Sequence, residues 1–226
     1  MSEVKYVADA SVEYPDSQSL RVHFGLFTKF ISARVVLSYF LATVAVRLTL
    51  GPWQWRELIG PAVILLLEPY IEWTIHVVLL HFKPRTIRGK HRDLYVAKKH
   101  RAHHAAPREV GLVLLPSRVP IVGLPIAAVL TVLLGRGDPR VAATTLAFGY
   151  LMLLTYEWTH FLIHGKYRPR RWYYKVIWRN HRNHHYRNEN YWMGVTTDIG
   201  DRVLRTAPAR DAVPVSPTAK NLDARD

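Results

Sequence analysis

Ten of the twelve histidines in this 226-residue sequence fall into four short groups. Two groups are His-x-x-His-His triplets, and the other two are pairs that each follow a Glu-Trp dipeptide. The ten positions are His76, His81, His100, His103, His104, His160, His164, His181, His184 and His185. Imidazole nitrogen binds zinc, copper, iron and nickel well, and ten imidazoles exceed the coordination number of one ion. The sequence therefore predicts a centre in which two metal ions share these ligands.

The spacing within each group favours one face of a helix. Positions i, i+3 and i+4 lie on the same side of an α-helix, so each triplet is expected to project its three imidazoles together. His160 and His164 are four residues apart and follow the same rule. His76 and His81 are five apart, about 140° around an ideal helix. This pair therefore either binds different metals or lies where the helix is locally distorted.

Two carboxylates lie inside apolar runs, where an unpaired charge is costly. Glu72 and Glu157 each begin a Glu-Trp dipeptide, and we expect them to orient histidine ligands from the second coordination shell. Helix-to-helix hydrogen bonding is the alternative role, and direct ligation is a weaker one. A role for Glu68 at the metal centre is less well supported than one for Glu72 or Glu157. Trp73 and Trp158 fit packing at the membrane interface as well as they fit walls of an active site.

The elements that must position these residues are four apolar runs, at about 35–50, 61–81, 119–135 and 141–164. A helix needs roughly 20 mostly apolar residues to cross a bilayer. The second and fourth runs reach that length, and the first and third lie near its lower limit. A soluble four-helix bundle is the alternative, but it would show polar stripes at helical spacing, which the first and third runs mostly lack.

Charge gives an independent test of this membrane arrangement. The formal net charge is +14, and 27 of the 31 basic residues lie before the first run, between the second and third, or after the fourth. This is the positive-inside pattern of two membrane hairpins, and it places both termini and the central loop in the cytoplasm. The basic residues flank the runs and form no stripe with stacking aromatics, so a nucleic-acid partner is not expected.

The predicted fold is an all-α membrane protein with four transmembrane helices in two hairpins and a helical cytoplasmic cap that holds the histidines. Residues 1–34 form a cytoplasmic arm with an interfacial segment, residues 35–206 form the membrane domain, and residues 207–226 form a disordered tail. His23 and His91 are expected to be ordinary surface or loop residues. The absence of cysteine excludes disulfides, iron–sulfur clusters and cysteine-ligated zinc.

The sequence also contains an internal repeat. Each half comprises a membrane hairpin, a Glu-Trp dipeptide with paired histidines, and then a triplet; the second triplet lies 81 positions after the first. Repeats of this kind are commonly related by a pseudo-two-fold axis, which would bring the four histidine groups to one centre.

An all-nitrogen site for two metals at the membrane surface fits iron and dioxygen chemistry on an unactivated C–H bond. Zinc hydrolysis would usually show fewer histidines and a general-base carboxylate. The sequence has no evident flavin or nicotinamide motif, so electrons are expected to come from outside the chain.

The motifs in Pro61 to Thr206 resemble the fatty acid hydroxylase/sterol desaturase superfamily of membrane di-iron oxygenases. The segments HRAHHAAPREVGLVLLPSRVP and HHYRNENYWMGVTTDIGDRVLRT look most like the fatty acid 2-hydroxylase branch. This resemblance implies that the ten histidines bind two iron ions, that O2 is the co-substrate, and that an acyl chain of a fatty acid or lipid is hydroxylated beside its carbonyl.

Eukaryotic members of that branch often carry an N-terminal cytochrome b5 domain, and 34 residues are too few for one. A separate electron donor, cytochrome b5-like or ferredoxin-like, is therefore expected. Two alternatives stay open at this point. One is a desaturase or hydroxylase of sterol- or carotenoid-type substrates in the same superfamily; the other is a histidine-rich metal transporter or haem electron carrier.

Overall fold

The computed structural model describes residues 12–134 and 137–222. The start of the predicted N-terminal arm, the end of the third apolar run and the last four residues of the predicted tail lie outside these described residues.

The chain is mainly helical, with short non-α turns and one hairpin. The α-helices are α1 (Leu20–Phe27), α2 (Ile31–Thr49), α3 (Ile59–Thr74), α4 (Tyr95–Ala105), α5 (Val110–Val113), α6 (Arg118–Leu134), α7 (Pro139–His164), α8 (Trp172–Tyr186) and α9 (Ile199–Val203). A 3₁₀ turn at Trp55–Leu58 leads into α3, and a π-helix at Ile75–Leu80 continues it. The strands β1 (Arg85–Ile87) and β2 (Lys90–Arg92) pair antiparallel in the segment before α4, and a last 3₁₀ turn covers Arg210–Ala212.

Three helical segments are long and apolar enough to cross a membrane. They are Ile31–Thr49, Trp55–Leu80 and Val110–Leu134. Much of their apolar surface faces outward, including Leu48, Leu66 and Leu133, as lipid-facing side chains do. These helices identify an integral membrane protein, and they contain most of the first three predicted apolar runs.

The fourth apolar run forms α7, but this helix is not among the candidate spans. Asp138 caps its start by accepting the Arg140 N–H at 2.9 Å. The helix lies at the centre of the fold, where it packs against α1, α2, α3, α5, α6 and α8. Its buried side chains therefore include polar ones, such as Thr144, Tyr150 and Glu157, which lower its hydropathy.

The contact between α3 and α7 depends on a residue without a side chain. A Cβ atom at Gly60 would lie 1.9 Å from Oγ1 of Thr145. A larger residue would separate the two helices, so glycine permits their close approach.

A buried ion pair joins α2, the following turn and α7 at the ends distant from the histidines. The Arg47 guanidinium donates twice to the Glu57 carboxylate and once to the Gly51 carbonyl, the latter at 3.0 Å. The same carboxylate accepts the Thr144 hydroxyl at 2.6 Å and the Gln54 N–H at 2.8 Å. Both charges are thus fully hydrogen-bonded, as buried charges must be to be tolerated.

The segment before α2 packs onto the C-terminal half of α7. Tyr14 and Phe27 are buried against Phe161 in one core cluster. The prediction for His23 was wrong: its ring is fully buried against Phe161, and its Nε2 lies 2.9 Å from the Ser17 carbonyl. A lone histidine outside the four histidine groups gives no sequence signal for this burial, which comes from the aromatic residues around it. His91 lies exposed on β2.

The described part of the predicted disordered tail, residues 207–222, is packed against the cap. Val213, Ala219 and Leu222 are buried, and the Val213 carbonyl accepts the Arg187 side chain at 2.7 Å. The composition suggested disorder because the segment is rich in Ala, Pro, Asp and Arg and has few aromatic residues. The segment is held instead by hydrogen bonds from its backbone and hydroxyl groups to residues of the cap.

We expect Arg47→Met to lower the free energy of unfolding by about 3–5 kcal/mol, because it leaves Glu57 buried without its counter-charge. The double variant Arg47→Met/Glu57→Gln should recover part of that loss. Arg34→Met removes an exposed cation from the same helix and serves as the control. Thermal unfolding in detergent measures the stability of all three variants. Equal stability of Arg47→Met and Arg34→Met would contradict a stabilising role for the buried Arg47–Glu57 ion pair.

Candidate metal centre

The ten predicted histidines converge on two adjacent clusters. The first contains His76, His81, His100, His104 and His184, and the second contains His103, His160, His164, His181 and His185. Within each cluster, one ring nitrogen per residue lies within 4.8 Å of the other four. The clusters touch, since the ring centroids of His104 and His185 are 4.2 Å apart. The arrangement offers five nitrogen ligands to each of two neighbouring ions.

Each triplet divides between the two clusters. On α4, His100 and His104 enter the first cluster and His103 enters the second. On α8, His181 and His185 enter the second cluster, whereas His184 crosses to the first. Residues four apart therefore share a cluster, and the third residue of each triplet joins the neighbouring one. The triplets do project toward one centre, but each one serves both clusters.

The π-helix at Ile75–Leu80 explains the five-residue spacing of His76 and His81. A π-turn closes hydrogen bonds between residues five apart, and the His81 N–H donates to the His76 carbonyl at 3.0 Å. The two rings consequently meet, with centroids 5.0 Å apart, in the first cluster. Of the two alternatives for this pair, local distortion of the helix is confirmed and placement in separate clusters is wrong.

Hydrogen bonds to backbone carbonyls fix the protonation of three rings in the first cluster. The acceptors are the carbonyls of Met193 for His76 at 2.6 Å, of Ala219 for His104 at 2.9 Å and of Tyr191 for His184 at 2.8 Å. A carbonyl can only accept, so Nδ1 carries the hydrogen in each ring. The neutral imidazole then presents Nε2 as a bare lone pair to the centre of the cluster.

These lone pairs point at one another. Nε2 of His104 lies 3.1 Å from Nε2 of His184, with no hydrogen between them when both rings are neutral. Nε2 of His100 lies 3.1–3.2 Å from three neighbours, His76, His81 and His104, and it can donate to one at most. Ligands at right angles around a metal, with bonds of about 2.1 Å, are about 3.0 Å apart. The spacing therefore fits nitrogen ligands around a cation.

The second cluster has the same character. Both ring nitrogens of His103 and Nε2 of His160 are buried with no hydrogen-bond partner among the described residues. Nε2 of His181 lies 3.1 Å from the corresponding atoms of His164 and His185. Each buried polar atom without a partner costs about 1–3 kcal/mol, a cost that coordination of a metal would remove. The residues present thus fit a metal ion in this cluster too.

Burial keeps the imidazoles in the form that binds metals. Burial first, and then repulsion by neighbouring imidazoles, lowers the pKa of His100, His103, His181, His184 and His185 well below its usual value. These rings are therefore neutral at pH 7, with a lone pair available for coordination.

Glu72 holds the loop before α9. Its carboxylate accepts the N–H groups of Val195 and Thr196, the second at 3.1 Å, and it shares the Thr196 hydroxyl with Glu68. The same loop carries the Met193 carbonyl that accepts the ring N–H of a first-cluster histidine. Glu72 thus contacts the backbone that orients the imidazole, and not the imidazole itself.

Glu157 has the corresponding contacts in the other half of the repeat. Its carboxylate accepts the Leu115 N–H at 3.1 Å, just after α5. The carbonyl of Val113, two residues earlier, hydrogen-bonds with His160 of the second cluster. Each glutamate therefore holds a loop that follows the opposite triplet, and that loop orients a histidine one turn after the glutamate.

Asp201 is a positioning residue that the histidine spacing does not reveal. It is buried and accepts the N–H groups of Met193 and Gly194 at 2.9 and 2.7 Å, and the Thr206 hydroxyl at 2.6 Å. Burial raises the pKa of its carboxyl group. A side chain at Gly194 would collide with the Thr197 carbonyl, 1.9 Å from a Cβ atom. The sequence signal for this residue was that Asp201 and Thr206 lie in the segment that resembles the fatty acid 2-hydroxylases.

Glu189 anchors the C-terminal segment to the cap and was also not anticipated. It is fully buried and accepts the hydroxyls of Ser216 and Thr218 at 3.1 and 2.6 Å. These contacts hold the segment whose Ala219 carbonyl fixes the ring of His104. A segment predicted to be disordered therefore contributes to the first cluster.

The two tryptophans have packing roles. Trp158 lies against Phe27 and Phe161, with ring centroids 5.3 and 5.9 Å away, in the core between α1 and α7. The Trp73 indole N–H donates to the Thr206 hydroxyl at 2.9 Å, which ties α3 to the end of the cap.

The fold and the site together define a helical membrane protein with a histidine-rich centre suited to two metal ions. The sequence matches the fatty acid hydroxylase family over residues 61–206, and the chain belongs to this family.

Characterised relatives agree with this assignment. Dihydroceramide fatty acyl 2-hydroxylase FAH2 of Arabidopsis thaliana is 27% identical over 139 residues, which cover 61% of this chain and 56% of FAH2. The corresponding enzyme FAH1 is 26% identical over 144 residues, 63% of this chain and 58% of FAH1. The chain thus spans little more than half the length of these relatives. A solved structure titled full-length scs7p, in which only the hydroxylase domain is visible, superposes on this chain with a TM-score of 0.62 at 21% sequence identity. The match covers 80% of this chain and 68% of the scs7p chain, and it shows that the two share a fold.

We expect purified wild-type protein to contain about two transition-metal ions per chain. His184→Ala should lose metal mainly from the first cluster and His103→Ala mainly from the second, so each variant should approach one ion per chain. His91→Ala, which changes an exposed histidine outside both clusters, should retain the wild-type content. Elemental analysis measures this ratio, and full metal content in both cluster variants would contradict the assignment.

Proposed function

We propose that the protein is a membrane-bound di-iron oxygenase that hydroxylates an acyl chain of a fatty acid or lipid with O2 and an external electron donor. The observation that carries this proposal is the division of ten imidazoles, nine of them buried, into two touching clusters next to apolar helices. Membership of the fatty acid hydroxylase family supports it.

The ten histidines would hold one iron in each cluster, and iron bound there would supply the activation of O2. Overall, one C–H bond of the substrate is replaced by C–OH, and the second oxygen atom leaves as water. That balance needs two electrons and two protons from outside. The chain has no cysteine for an iron–sulfur cluster, so a separate donor of the cytochrome b5 or ferredoxin type fits the reaction.

The protein's own residues would prepare the site for this reaction. Carbonyls of Met193, Ala219 and Tyr191 fix three rings so that Nε2 faces the metal. Glu72, Glu157 and Asp201 would act as positioning residues, since they hold the loops around these rings. Burial of nearly all ten imidazoles keeps bulk water from the centre, which protects a reactive site from side reactions.

The topology that we propose has four spans, with α7 as the fourth, and both termini and the histidine clusters in the cytoplasm. The charge distribution supports it, because the segments between and after the hairpins that contain the triplets are strongly basic. An acyl substrate would then reach the centre laterally from the bilayer. The names of the Arabidopsis relatives favour the carbon beside the carbonyl as the position of attack.

The geometry argues against two other classes of function. A haem carrier needs a planar macrocycle between its histidines, whereas five ring nitrogens within 4.8 Å of one another leave no room for one. A metal transporter needs polar groups across the membrane, and the apolar faces of α2 and α6 do not provide such a path.

Comparative lipid mass spectrometry tests the proposal in cells that carry or lack the gene, with an electron donor present. We expect the gene to produce lipids with one added oxygen atom in an acyl chain, and we expect His103→Ala/His184→Ala to abolish them. His91→Ala is the matched control and should retain the product.

A product that lacks two hydrogens and has no added oxygen would contradict hydroxylation and favour desaturation. If no lipid changes when metal-loaded protein and an electron donor are both present, both hydroxylation and desaturation would be contradicted.

A further inference from the structure

A large cleft lies beside the second cluster and has no role in the mechanism above. It has a volume of about 1570 Å³, and His164 forms part of its lining. One wall is the segment before α1, and the other is formed by residues 165–169 and α8. Gln18 connects these walls, because its side chain bonds to the Lys166 carbonyl at 3.0 Å and to the Arg168 N–H at 2.9 Å.

Six cations line this cleft, and all of them except Arg108 lie on the wall formed by residues 165–169 and α8. Lys175, Arg179 and Arg182 follow one another at i, i+4 and i+7, so they form a stripe along one face of α8. Lys166 and Arg168 contribute from the segment that precedes the helix. Arg182 directly follows His181 in α8, so this end of the stripe lies next to the second cluster. A row of positive charge thus leads from the surface toward the second cluster.

Among the described residues, no ion pair joins these cations to an acidic side chain. Glu13, Asp16 and Glu109 also line the cleft, but in the described ranges none of them forms an ion pair with the six cations. Like charges gathered in a concave site repel one another and concentrate the field within it. An anion in the cleft would relieve this repulsion.

The walls between the cations are apolar. Val176 and the rings of Tyr14, Tyr167 and Trp178 line the cleft, and the Arg182 guanidinium lies 4.7 Å above the Trp178 ring. An inorganic anion would leave this apolar surface without a partner. A ligand with both an anionic group and a hydrocarbon part matches both kinds of lining.

Elements suited to a membrane surface flank the cleft. Helix α1, which follows the first wall, exposes Leu20, Val22 and Phe24. Helix α8 begins with an exposed Trp172. Exposed apolar and aromatic side chains next to cations are typical of protein surfaces that lie at the lipid headgroups. A lipid could therefore enter the cleft from the bilayer surface.

We propose that this cleft binds the anionic end of an amphiphilic acyl ligand, a carboxylate or a phosphate, on the cations of residues 166–182. The inference deepens the proposed function, on which it rests, by assigning the substrate to the class of anionic acyl lipids. An acidic electron-donor protein is the competing occupant of this basic surface. The concave shape and the apolar walls favour a small amphiphile, since a folded protein could contact only the rim.

Equilibrium binding to the metal-loaded protein in neutral detergent tests this inference without turnover. The probes are oleate, oleoyl lysophosphatidate, mono-olein as a neutral analogue and inorganic phosphate. The variant Lys175→Gln/Arg179→Gln removes two cations of the stripe. Lys90→Gln/Arg92→Gln removes one lysine and one arginine from the exposed hairpin, away from the cleft, and is the matched control. Arg168→Glu, in the segment that precedes α8 in the same wall, is a second test variant.

We expect oleate or lysophosphatidate, or both, to bind about tenfold or more tightly than mono-olein, because the anion gains charge-assisted hydrogen bonds. The stripe variant and Arg168→Glu should lose this preference, while the hairpin variant keeps it and all variants retain their metal. The preferred probe distinguishes a carboxylate from a phosphate as the recognised group.

Three results would overturn the inference. One is equal binding of anionic and neutral lipids, and another is binding of inorganic phosphate as tight as that of the lipids. The third is a stripe variant that binds lipids as the wild type does but is reduced more slowly, and in a salt-sensitive way, by an acidic electron-donor protein. That result would assign the basic surface to the donor protein. Failure of the proposed function looks different, since lipids would bind but gain no oxygen.

Discussion

Ten imidazoles, nine of them buried, converge on two small volumes, and cations among them would satisfy the ring nitrogens that face one another at 3.1–3.2 Å. In the first cluster, backbone carbonyls hold the Nδ1 hydrogens of His76, His104 and His184 on the outside, which leaves their Nε2 lone pairs converging. The rest of the cap can be understood as the means of holding this arrangement. Its loops supply the carbonyls, and buried carboxylates hold the loops. The two clusters are thus arranged for metal binding before a metal arrives, and this arrangement makes the metal-free protein less stable.

The repeat within the sequence has a structural consequence beyond symmetry. Glu72 in the first half binds backbone N–H groups that follow the second triplet, and Glu157 in the second half binds one that follows the first triplet. Each triplet also divides its imidazoles between the two clusters. Neither half can therefore form a complete cluster alone, so the metal centre couples the two halves of the fold.

The residue types that form the histidine centre were easier to predict from the sequence than the way in which they are arranged in space. Residue type and spacing selected the ten histidines that the structure gathers into two clusters, and their binding of metal stays a prediction. The division of each triplet and the π-turn between His76 and His81 depend on how α3, α4 and α8 pack, which local spacing does not encode. The Ala219 carbonyl was missed because a backbone acceptor has no residue signature. Glu189 was missed because the hydroxyls that it accepts, on Ser216 and Thr218, lie 27 and 29 positions away in the sequence. Burial of His23 likewise comes from tertiary packing.

The central claim is that the two clusters are two adjacent metal sites with the ligands named above. Anomalous diffraction at the iron edge, from crystals of protein purified from iron-replete cells, tests it most directly. The account predicts two peaks, one among His76, His81, His100, His104 and His184 and the other among His103, His160, His164, His181 and His185. A single peak, or peaks outside these clusters, would contradict it.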